Sequence, residues 1–496
     1  MALRVYDTRR GRKLLFRPID RAAVKMFVCG PTVYDSTHIG HAKAYVSSDV
    51  IAKWIRHKGY GLTLLVNITD VDDKIIKRAS EEKVRPVEIA RKYEAQFRRC
   101  MERIGITGVD RYERAHDHIG AIQGQIIRLL GNGSAYITGT GIYYDITGFK
   151  DYGKLSGQKP EELNRHRIEP DQTKRNPHDF SIWKRAPPGS DPSWKFDATI
   201  PLCAGNSLER LMGHGAEGVA KETHGSLALS MWGRPGWHIE DTAIAEKYLG
   251  AQYDIHGGGL DLIFPHHECE IAQMESVSGK RPMVKYWMHT GLLTVDGKKM
   301  SKSLKNFTTV DSLLERYTGE TIRMALINAH YRSPVDFRTG LMDQAQAQLE
   351  RLYNSLEALR SAKESEESGA LDRVVSAALK EFEESMDDDF NTPGAIKALF
   401  DAMSGINKCV PAGISMRAKA NAENAVAAMA GVLGILTGEG RSGELSKRQL
   451  AMVEERERAR KSGDYKASDR IRSELESEGV IIEDTKDGPK ARKISS

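Results

Sequence analysis

The pattern of apolar and polar residues at the start of the chain predicts a strand–helix–strand unit. Residues 3–16 alternate as in a β-hairpin, and Val24–Val28 is a short apolar run that ends at Cys29. A helical periodicity extends from about residue 40 to 57, and Leu62–Asn67 is a second apolar run. This succession indicates a parallel, right-handed crossover, which is the beginning of a nucleotide-binding sheet.

The pattern changes further along the chain. Residues 132–235 are poor in helical periodicity and rich in Gly, Pro and Trp, which predicts an insertion rather than more sheet. Sheet signals return at Tyr253–Gly259 and Tyr286–Val295, and nearly everything from Thr309 onward is helical. We therefore predict an α/β protein with a doubly wound (Rossmann-type) parallel sheet, an insertion, a helical bundle and a small C-terminal α+β tail domain. The predicted boundaries are 1–131 and 236–308 for the two halves of the sheet domain, 132–235 for the insertion, 309–436 for the bundle and 447–496 for the tail.

Composition narrows the class of protein. The 496 residues are too many for one core, and 40% apolar with 28% charged residues is globular composition. The sequence contains no apolar run long enough for a membrane span, and its first ten residues lack the apolar core of a signal peptide. We expect a cytoplasmic protein with no membrane partner. The five scattered cysteines read as thiols, and a net charge of +5 permits a polyanionic partner.

Two histidines flank the junction between the first strand and the first helix. The N–H groups and the dipole at a helix N-terminus attract phosphate, and Gly40 would let a purine lie against the backbone. His38 and His41 are three residues apart, so their rings can face one side and hold phosphate oxygens. The alternative is a pair of half-exposed histidines that only cap the helix.

A second candidate element is the loop Lys299-Met-Ser-Lys-Ser303, which follows the last sheet strand. Two lysines on a loop flanked by Gly and Ser suit a lid over a triphosphate, because they bring charge as pyrophosphate leaves. On its own this loop could equally be a solvated basic turn.

A third group combines Cys29 with His266 and Glu270. The latter two are four residues apart, so one helical face can present an imidazole and a carboxylate to a divalent ion. Cys29 ends the first strand, beside the nucleotide loop, and could complete such a site. A core cysteine with a solvated His–Glu pair is the alternative.

Together, His-Ile-Gly-His after the first strand and Lys-Met-Ser-Lys-Ser after the last resemble the paired signatures of class I aminoacyl-tRNA synthetases. Longer stretches, which cover most of the chain, resemble cysteinyl-tRNA synthetases. These stretches are FVCGPTVYDSTHIGHA, NITDVDDKIIKRA, DFSIWK, GRPGWHIED, DIHGGGLDLIFPHHECEIAQ, YWMHTGLL, KKMSKSLKNF and GDYKASDRIRSELESEGVIIEDTKDGP.

The resemblance implies one zinc ion held by two cysteines, a histidine and a glutamate, with the substrate thiolate as a further ligand. Cys29, His266 and Glu270 match this pattern, whereas the second cysteine falls on Asp241. A carboxylate is an acceptable zinc ligand and leaves the formal ligand charge unchanged, so we expect the metal to remain.

Two alternatives to Asp241 stay open. The segment 194–231 is longer than the usual connection in the resembling family, and its Cys203, His214 or His224 could supply the fourth ligand instead. The metal could also be absent, with Cys29 a buried thiol.

The resemblance also assigns residues to the substrates. Those implied to bind cysteine are Cys29, Thr69, Trp237, His256 and Trp287. Those implied to bind ATP with Mg²⁺ are His38, Gly40, His41, Gly257, Gly258, Gly259, Asp261 and Lys302. The catalytic groups expected to stabilise charge on the phosphates are His38, His41, Lys299 and Lys302.

The implied reaction is the attachment of cysteine to tRNA(Cys). The cysteine carboxylate attacks the α-phosphate of ATP, which gives cysteinyl-adenylate and pyrophosphate, and the acyl group then passes to the terminal ribose. The insertion would hold the acceptor end. The expected partners are therefore L-cysteine, ATP and tRNA(Cys), and Lys466, Arg470 and Arg472 have a helix-compatible spacing that suits RNA.

Two rival functions are weighed against this one. A related ATP-dependent ligase joins cysteine to an amino sugar in the synthesis of low-molecular-weight thiols, but it lacks the anticodon-binding tail. A non-catalytic RNA-binding relative would explain Asp241, but both ATP signatures are present here.

Overall fold

A computed structural model gives the architecture of the protein. It describes residues 2–158, 171–203, 205–295, 297–299, 308–365, 369–438, 447–478, 480–485 and 488–493. No helix within these ranges is long and apolar enough to cross a membrane.

The central element is a five-stranded parallel sheet with helices around it. Its strands are β3 (Val24–Val28), β4 (Leu62–Ile68), β5 (Arg111–Arg114), β12 (Tyr253–Gly259) and β13 (Val284–Thr290). The order is β13-β12-β3-β4-β5, so the chain winds outward on one side of β3 and later returns on the other. This confirms the doubly wound prediction and places the topological switch point between β3 and β12, where such folds bind their ligands.

Apolar faces on the surrounding helices explain their positions. In α1, buried side chains such as Ile39, Val46, Val50 and Trp54 recur at helical spacing and pack on the sheet. The helices of this domain are α1 (Ile39–His57), α2 (Asp73–Glu82), α3 (Pro86–Arg103), α4 (Ile119–Gly131), α6 (Trp237–Leu249) and α7 (Glu268–Ser278). An N-terminal hairpin of β1 (Arg4–Asp7) and β2 (Arg12–Leu15) precedes the sheet, as predicted.

The insertion is itself a sheet, so the prediction of an insertion without strands is wrong. Its strands are β6 (Ala135–Ile137), β7 (Gly141–Tyr144), β8 (Phe180–Arg185), β9 (Trp194–Pro201), β10 (Ala220–Thr223) and β11 (Ser226–Pro235). All pairings are antiparallel, in the order β10-β11-β8-β7-β6 with β9 on β11. Because β11 alternates buried and more exposed residues, its apolar signal is weaker than that of a strand buried on both faces.

The long segment within the insertion is ordered around this sheet. Residues 194–231 comprise β9, the one-turn helix α5 (Leu208–Leu211), β10 and most of β11. Cys203 is exposed, and none of Cys203, His214 and His224 belongs to a metal-donor group among the described residues. The structure therefore does not support a fourth ligand from this segment.

The region after residue 308 is mostly helical, as predicted, but it also contributes a strand. The prediction missed β16 (Val335–Phe337), which pairs with β14 (Leu293–Val295), because three residues are too few to show a period. β14 also pairs with β15 (Lys298–Lys299). The helices here are α8 (Val310–Leu314), α9 (Gly319–Ile327), α10 (Thr339–Arg360), α11 (Gly369–Asp387), α12 (Thr392–Cys409) and α13 (Met416–Leu433).

The bundle shares a core with the sheet domain. Trp54 of α1 and Phe382 of α11 are both buried, and their ring centroids lie 5.9 Å apart in an edge-to-face contact. The tail has a separate small core of Val453, Ile471, Leu475, Val480 and Ile482. It consists of α14 (Lys447–Lys461), α15 (Tyr465–Ser477), β17 (Val480–Thr485) and β18 (Gly488–Lys493).

Candidate active site

The candidate site lies at the switch point, where β3 and β12 end side by side. Cys29 follows β3, and its backbone N–H donates to the carbonyl of Gly257 at 3.1 Å. Parallel strands bring their carboxyl ends to the same edge of a sheet, so the residues after them converge there. The structure thereby brings Cys29 next to the glycine run of β12.

Nitrogen and oxygen donors surround the Cys29 thiol. Its Sγ lies 3.3 Å from Nε2 of His256, 3.1 Å from Nε2 of His267 and 4.0 Å from Oε1 of Glu270. All four residues are buried. They form one group whose donor atoms lie within 4.8 Å of one another, called here the histidine set (Cys29, His256, His267 and Glu270).

A second group shares Cys29 and Glu270 and contains the residues predicted from the sequence. It is called here the acidic set (Cys29, Asp241, His266 and Glu270), and its donor atoms also lie within 4.8 Å of one another. Nε2 of His266 lies 3.1 Å from Oε1 of Glu270 and 3.2 Å from Oδ2 of Asp241. The structure thus brings together all four predicted ligands.

Further polar groups hold these donors in place. The side-chain amide of Asn67 donates to Oδ1 of Asp241 at 2.6 Å, and the Tyr253 hydroxyl lies 2.7 Å from Nδ1 of His256. Nδ1 of His266 lies 2.8 Å from Nδ1 of His238. Such partners fix the orientation of a ligand side chain, as is usual around protein metal sites.

The site concentrates acidic groups in a buried volume. Burial raises the pKa of Glu270 well above its ordinary value, and the charges of Asp241 and Glu240 raise it further. Burial followed by the charge of Glu270 raises the pKa of the Cys29 thiol. Oε2 of Glu270 and Oε2 of Glu240 have no hydrogen-bond partner among the described residues. A divalent cation would offset this charge, and thiolate, imidazole and carboxylate donors are those that zinc accepts.

The predicted cysteine-binding residues lie around the same donors. Trp287 is buried and stacks on His256 with ring centroids 4.5 Å apart. Trp237 begins α6, stacks on His266 at 4.1 Å and is 38% exposed, so it borders the open side. Thr69 follows β4, and its buried hydroxyl donates to Oε1 of Glu240.

The two histidines at the start of α1 are stacked. His38 is the N-cap residue, its Nδ1 accepts from the His41 backbone N–H at 3.2 Å, and the ring centroids are 3.6 Å apart. Burial lowers the pKa of His38 to about 4, against a smaller opposing effect of Asp261. Nδ1 of His41 is buried without a hydrogen-bond partner in the described part of the chain. Capping and a free imidazole nitrogen therefore coexist at this helix start.

The glycine run of β12 makes room for the donors. A Cβ on Gly258 would lie 2.9 Å from Cε1 of His267, and one on Gly257 would lie 3.2 Å from a methyl group of Val28. A Cβ on Gly259 would lie 2.4 Å from Oδ1 of Asp261. Besides the predicted approach of a nucleotide, these glycines allow the imidazole of His267 to reach Cys29.

The lysine loop lies partly outside the described residues. The backbone of Lys299 belongs to β15, and Lys302 is not among the described residues. The chain after the loop is tied to the first helix, because the Ile39 N–H donates to the carbonyl of Thr308 at 3.1 Å and the Val310 N–H donates to that of Thr37 at 2.8 Å.

Sequence reasoning missed His267 and His289, which lie next to the thiol site. Nδ1 of His267 lies 2.8 Å from Nε2 of His289, and both rings are buried. The doublet His266-His267 could have indicated a second imidazole at the site, since neighbouring residues at a helix start point in different directions. His289 is near the end of β13, the edge where Cys29 also lies.

A cavity of about 540 Å³ opens beside this site, between the sheet domain and the insertion. Trp237, His238 and Phe264 line it on the side of the donors, and Lys184 and Arg234 line it on the side of the insertion. It therefore presents aromatic and cationic groups next to the buried donors.

Three family models match the chain. They are described as "tRNA synthetases class I (C) catalytic domain", "DALR domain" and "Cysteinyl-tRNA ligase anticodon binding domain", and they match residues 15–205 with 224–347, 381–437 and 442–492. The interruption of the first match lies inside the long segment 194–231. Fold and site thus define a class I tRNA synthetase.

Comparison with curated relatives shows which family of class I synthetases the chain belongs to. The chain is 40% identical over 511 residues to the cysteine–tRNA ligase of Thermococcus onnurineus (strain NA1), covering 100% of both chains. It is 39% identical to that of Geobacter sulfurreducens, covering 98% of this chain and 99% of the relative. The chain therefore belongs to the cysteine–tRNA ligase family. The match to the anticodon-binding domain also argues against the amino-sugar ligase, which lacks that tail.

Solved structures agree on the fold. Mycobacterium tuberculosis methionyl-tRNA synthetase in complex with methionyl-adenylate has a TM-score of 0.56 at 15% identity, covering 86% of this chain and 95% of the other. The LeuRS–tRNA–LeuAMS ternary complex of Agrobacterium radiobacter K84 has a TM-score of 0.60 at 11% identity, covering 84% and 85%.

Proposed function

We propose that this enzyme selects cysteine with a zinc ion held by the acidic set: Cys29, Asp241, His266 and Glu270. As a member of its family, the chain attaches cysteine to the 3′ end of tRNA(Cys) with ATP, through cysteinyl-adenylate. The observation that carries the proposal is the buried group of four donors within 4.8 Å of one another.

Charge and orientation favour the acidic set over the histidine set. Cys29, Asp241 and Glu270 would carry three negative charges in a buried volume, a costly arrangement unless a cation offsets them. Asn67 holds one oxygen of Asp241, and the other faces His266 at 3.2 Å. Trp237 stacks on His266 and borders the open cavity, so this side of the site faces an arriving substrate.

Residues around the acidic set would recognise the rest of cysteine. Bound zinc would favour the thiol of cysteine over the hydroxyl of serine, because a thiol ionises and binds zinc far more readily. Trp237 and Trp287 would exclude water from the thiol, and His256 and Thr69 would line the pocket. A metal-free pocket would distinguish the two amino acids only modestly by size.

We assign ATP, with its Mg²⁺, to the junction between β3 and α1. The α1 N-terminus favours phosphate, and half-buried Gly40, in the first turn of α1, has no side chain to keep the base from the backbone. His38 and His41 would stabilise charge on the phosphates, aided by Gly257–Gly259 and Asp261. Lys299 and Lys302 would neutralise the departing pyrophosphate. The cysteine carboxylate is itself the nucleophile, so no protein group needs to form a covalent intermediate.

We assign the 3′ end of tRNA to the 540 Å³ cavity, where Trp237 and Phe264 offer stacking surfaces and Lys184 and Arg234 offer charge. The anticodon belongs to the tail, where Lys466, Arg470 and Arg472 are exposed on α15. Both tRNA and ATP are cytoplasmic substrates of translation, so we place the enzyme in the cytoplasm.

Cysteine-dependent exchange of pyrophosphate into ATP tests this proposal. We expect exchange without tRNA, a strong preference for cysteine over serine, loss of that preference after chelation and recovery with zinc. Deletion of residues 447–496 should spare exchange but raise the KM for tRNA and reduce its salt dependence. Metal-free protein that keeps its full preference for cysteine would contradict the zinc assignment.

A further inference from the structure

The N-terminal hairpin covers the edge of the central sheet behind the thiol site. β13 is an edge strand, whose outer N–H and C=O groups would otherwise lack partners. The Thr8 N–H donates to the carbonyl of Trp287 at 2.9 Å, and the Trp287 N–H donates to Oδ1 of Asp7 at 3.0 Å. The hairpin therefore fixes the backbone of β13 at the residue that stacks on His256.

A row of side chains leads from the hairpin to the thiol. The Thr8 hydroxyl lies 2.7 Å from Nδ1 of His289. Nε2 of His289 lies 2.8 Å from Nδ1 of His267, and Nε2 of His267 lies 3.1 Å from Sγ of Cys29. Thr8 is half-buried, whereas the two imidazoles and Cys29 are buried.

The direction of the hydrogen bond at the Thr8 end of this row determines the direction of the hydrogen bond at the Cys29 end. Burial lowers the pKa of His289 to about 3, so its ring is neutral and has one N–H donor and one acceptor nitrogen. If the Thr8 hydroxyl donates to Nδ1 of His289, then His289 donates to His267, and Nε2–H of His267 points at Cys29. A thiolate only accepts hydrogen bonds, so this direction is the one that suits a metal-bound Cys29.

We propose that Thr8 is a positioning residue of the cysteine site, whose hydroxyl acts through His289 and His267 to keep an N–H on the Cys29 sulfur. The inference rests on the proposed function, since it concerns the same thiol site. It assigns a role in amino-acid recognition to the N-terminal hairpin, none of whose described residues is among those that line the 540 Å³ cavity.

Two substitutions at position 8 separate this role from simple packing. Thr8→Val removes the hydroxyl but keeps the shape and the backbone bond to Trp287, whereas Thr8→Ser keeps the hydroxyl. In pyrophosphate exchange, we expect Thr8→Val to raise the KM for cysteine about tenfold while the KM for ATP stays within about twofold. Thr8→Ser should resemble the wild type.

A second readout does not depend on activity. The ¹⁵N resonances of the imidazoles distinguish the two neutral tautomers, and we expect His289 to hold one tautomer in the wild type and in Thr8→Ser but a mixture in Thr8→Val. An unchanged tautomer and an unchanged KM for cysteine in Thr8→Val would overturn the proposal. Equal losses in Thr8→Val and Thr8→Ser would do the same, because they would show packing alone.

A variant of His289 tests the proposal independently of whether Thr8→Val folds. His289→Phe keeps a ring against Trp287 but breaks the row, so it should also raise the KM for cysteine and not that for ATP. If Thr8→Val does not fold, His289→Phe serves as the test instead. A KM for cysteine that is unchanged in His289→Phe would refute the inference. Failure of the proposed function is distinguishable, because the wild type stripped of metal would then keep its full preference for cysteine over serine.

Discussion

The sequence resemblance aligns Asp241 with a second cysteine ligand, and the structure places Oδ2 of Asp241 3.2 Å from Nε2 of His266. The exchange of sulfur for oxygen keeps the charge of the ligand but makes it harder, so zinc should be held less tightly. Asn67, which donates to the other carboxylate oxygen, compensates in part by fixing the orientation of the side chain.

Substitution of Asp241 tests its role as a ligand. We expect Asp241→Ala to reduce the zinc content of protein purified without chelator and to weaken discrimination against serine. The zinc affinity should fall by at least the roughly 10–100-fold that loss of a ligand's hydrogen-bond partner costs. Asp241→Cys should hold zinc at least as well as the wild type. Zinc content that is indifferent to both substitutions would exclude Asp241 from the site.

The lowered pKa of His38 leads us to expect that the stability of the protein depends on pH. Its pKa falls from an ordinary value of 6.5 to about 4 on folding, so the folded state binds fewer protons than the unfolded state between these values. Stability should therefore fall as the pH is lowered through this window. His38→Asn keeps an N-capping side chain and should lose about 2 kcal/mol less than the wild type between pH 7 and pH 4. Denaturant unfolding at the two pH values measures this difference, and parallel losses would contradict it.

At the scale of elements, the sequence predicted the parallel sheet well and the insertion poorly. Runs such as Val24–Val28 and Leu62–Ile68 are buried on both faces, so their apolar character is continuous and visible. In the insertion, β9 and β11 alternate buried and more exposed residues, and β6 and β7, like β16 outside it, are only three or four residues long. The site residues also differed in how visible they were in the sequence. Cys29 and His266 lie in contiguous motifs and were predicted. His289 was missed, because only the pairing of strands that are distant in the sequence places it beside Cys29.

The glycine run of β12 leaves little room for a side chain beside His267, so a substitution there should disturb the thiol site. In Gly258→Ala, the new Cβ would lie 2.9 Å from Cε1 of His267 and 3.0 Å from a methyl group of Leu262, so the imidazole that contacts Cys29 would have to shift. We expect a rise of about tenfold in the KM for cysteine and a stability loss of about 1–3 kcal/mol. Gly120→Ala in α4 is the matched control, because its Cβ would meet nothing within 4 Å. Equal behaviour of the two variants would contradict this account.

At the scale of the whole molecule, a buried ion pair joins the sheet domain to the bundle. The guanidinium of Arg323, from α9, pairs with Asp49 of α1 and donates to the carbonyls of Gly105 at 2.9 Å and Leu433 at 2.7 Å. Arg323 and Asp49 are fully buried. Helix α1 and the end of α13 are therefore linked through one side chain.

Removal of this cation should be costly. Arg323→Met leaves the buried Asp49 carboxylate with Lys53 as its cationic partner, beside the backbone N–H groups of Thr107 and Gly108. We expect a loss of about 3–5 kcal/mol in unfolding free energy. In the double variant with Asp49→Asn, the loss should be smaller than the sum of the single losses, because the uncompensated charge is gone. Denaturant unfolding of the three variants measures this coupling, and additive losses would refute it.

X-ray absorption at the zinc edge of the purified enzyme tests whether a metal ion held by the acidic set selects cysteine. The acidic set predicts one sulfur ligand at about 2.3 Å and three nitrogen or oxygen ligands at about 2.0–2.2 Å, only one of which is an imidazole. Addition of cysteine should raise the number of sulfur ligands to two, whereas serine should leave it at one. Absence of zinc, or a sulfur count that does not change with cysteine, would contradict selection of cysteine by a metal, and two imidazole ligands would assign the ion to the histidine set instead.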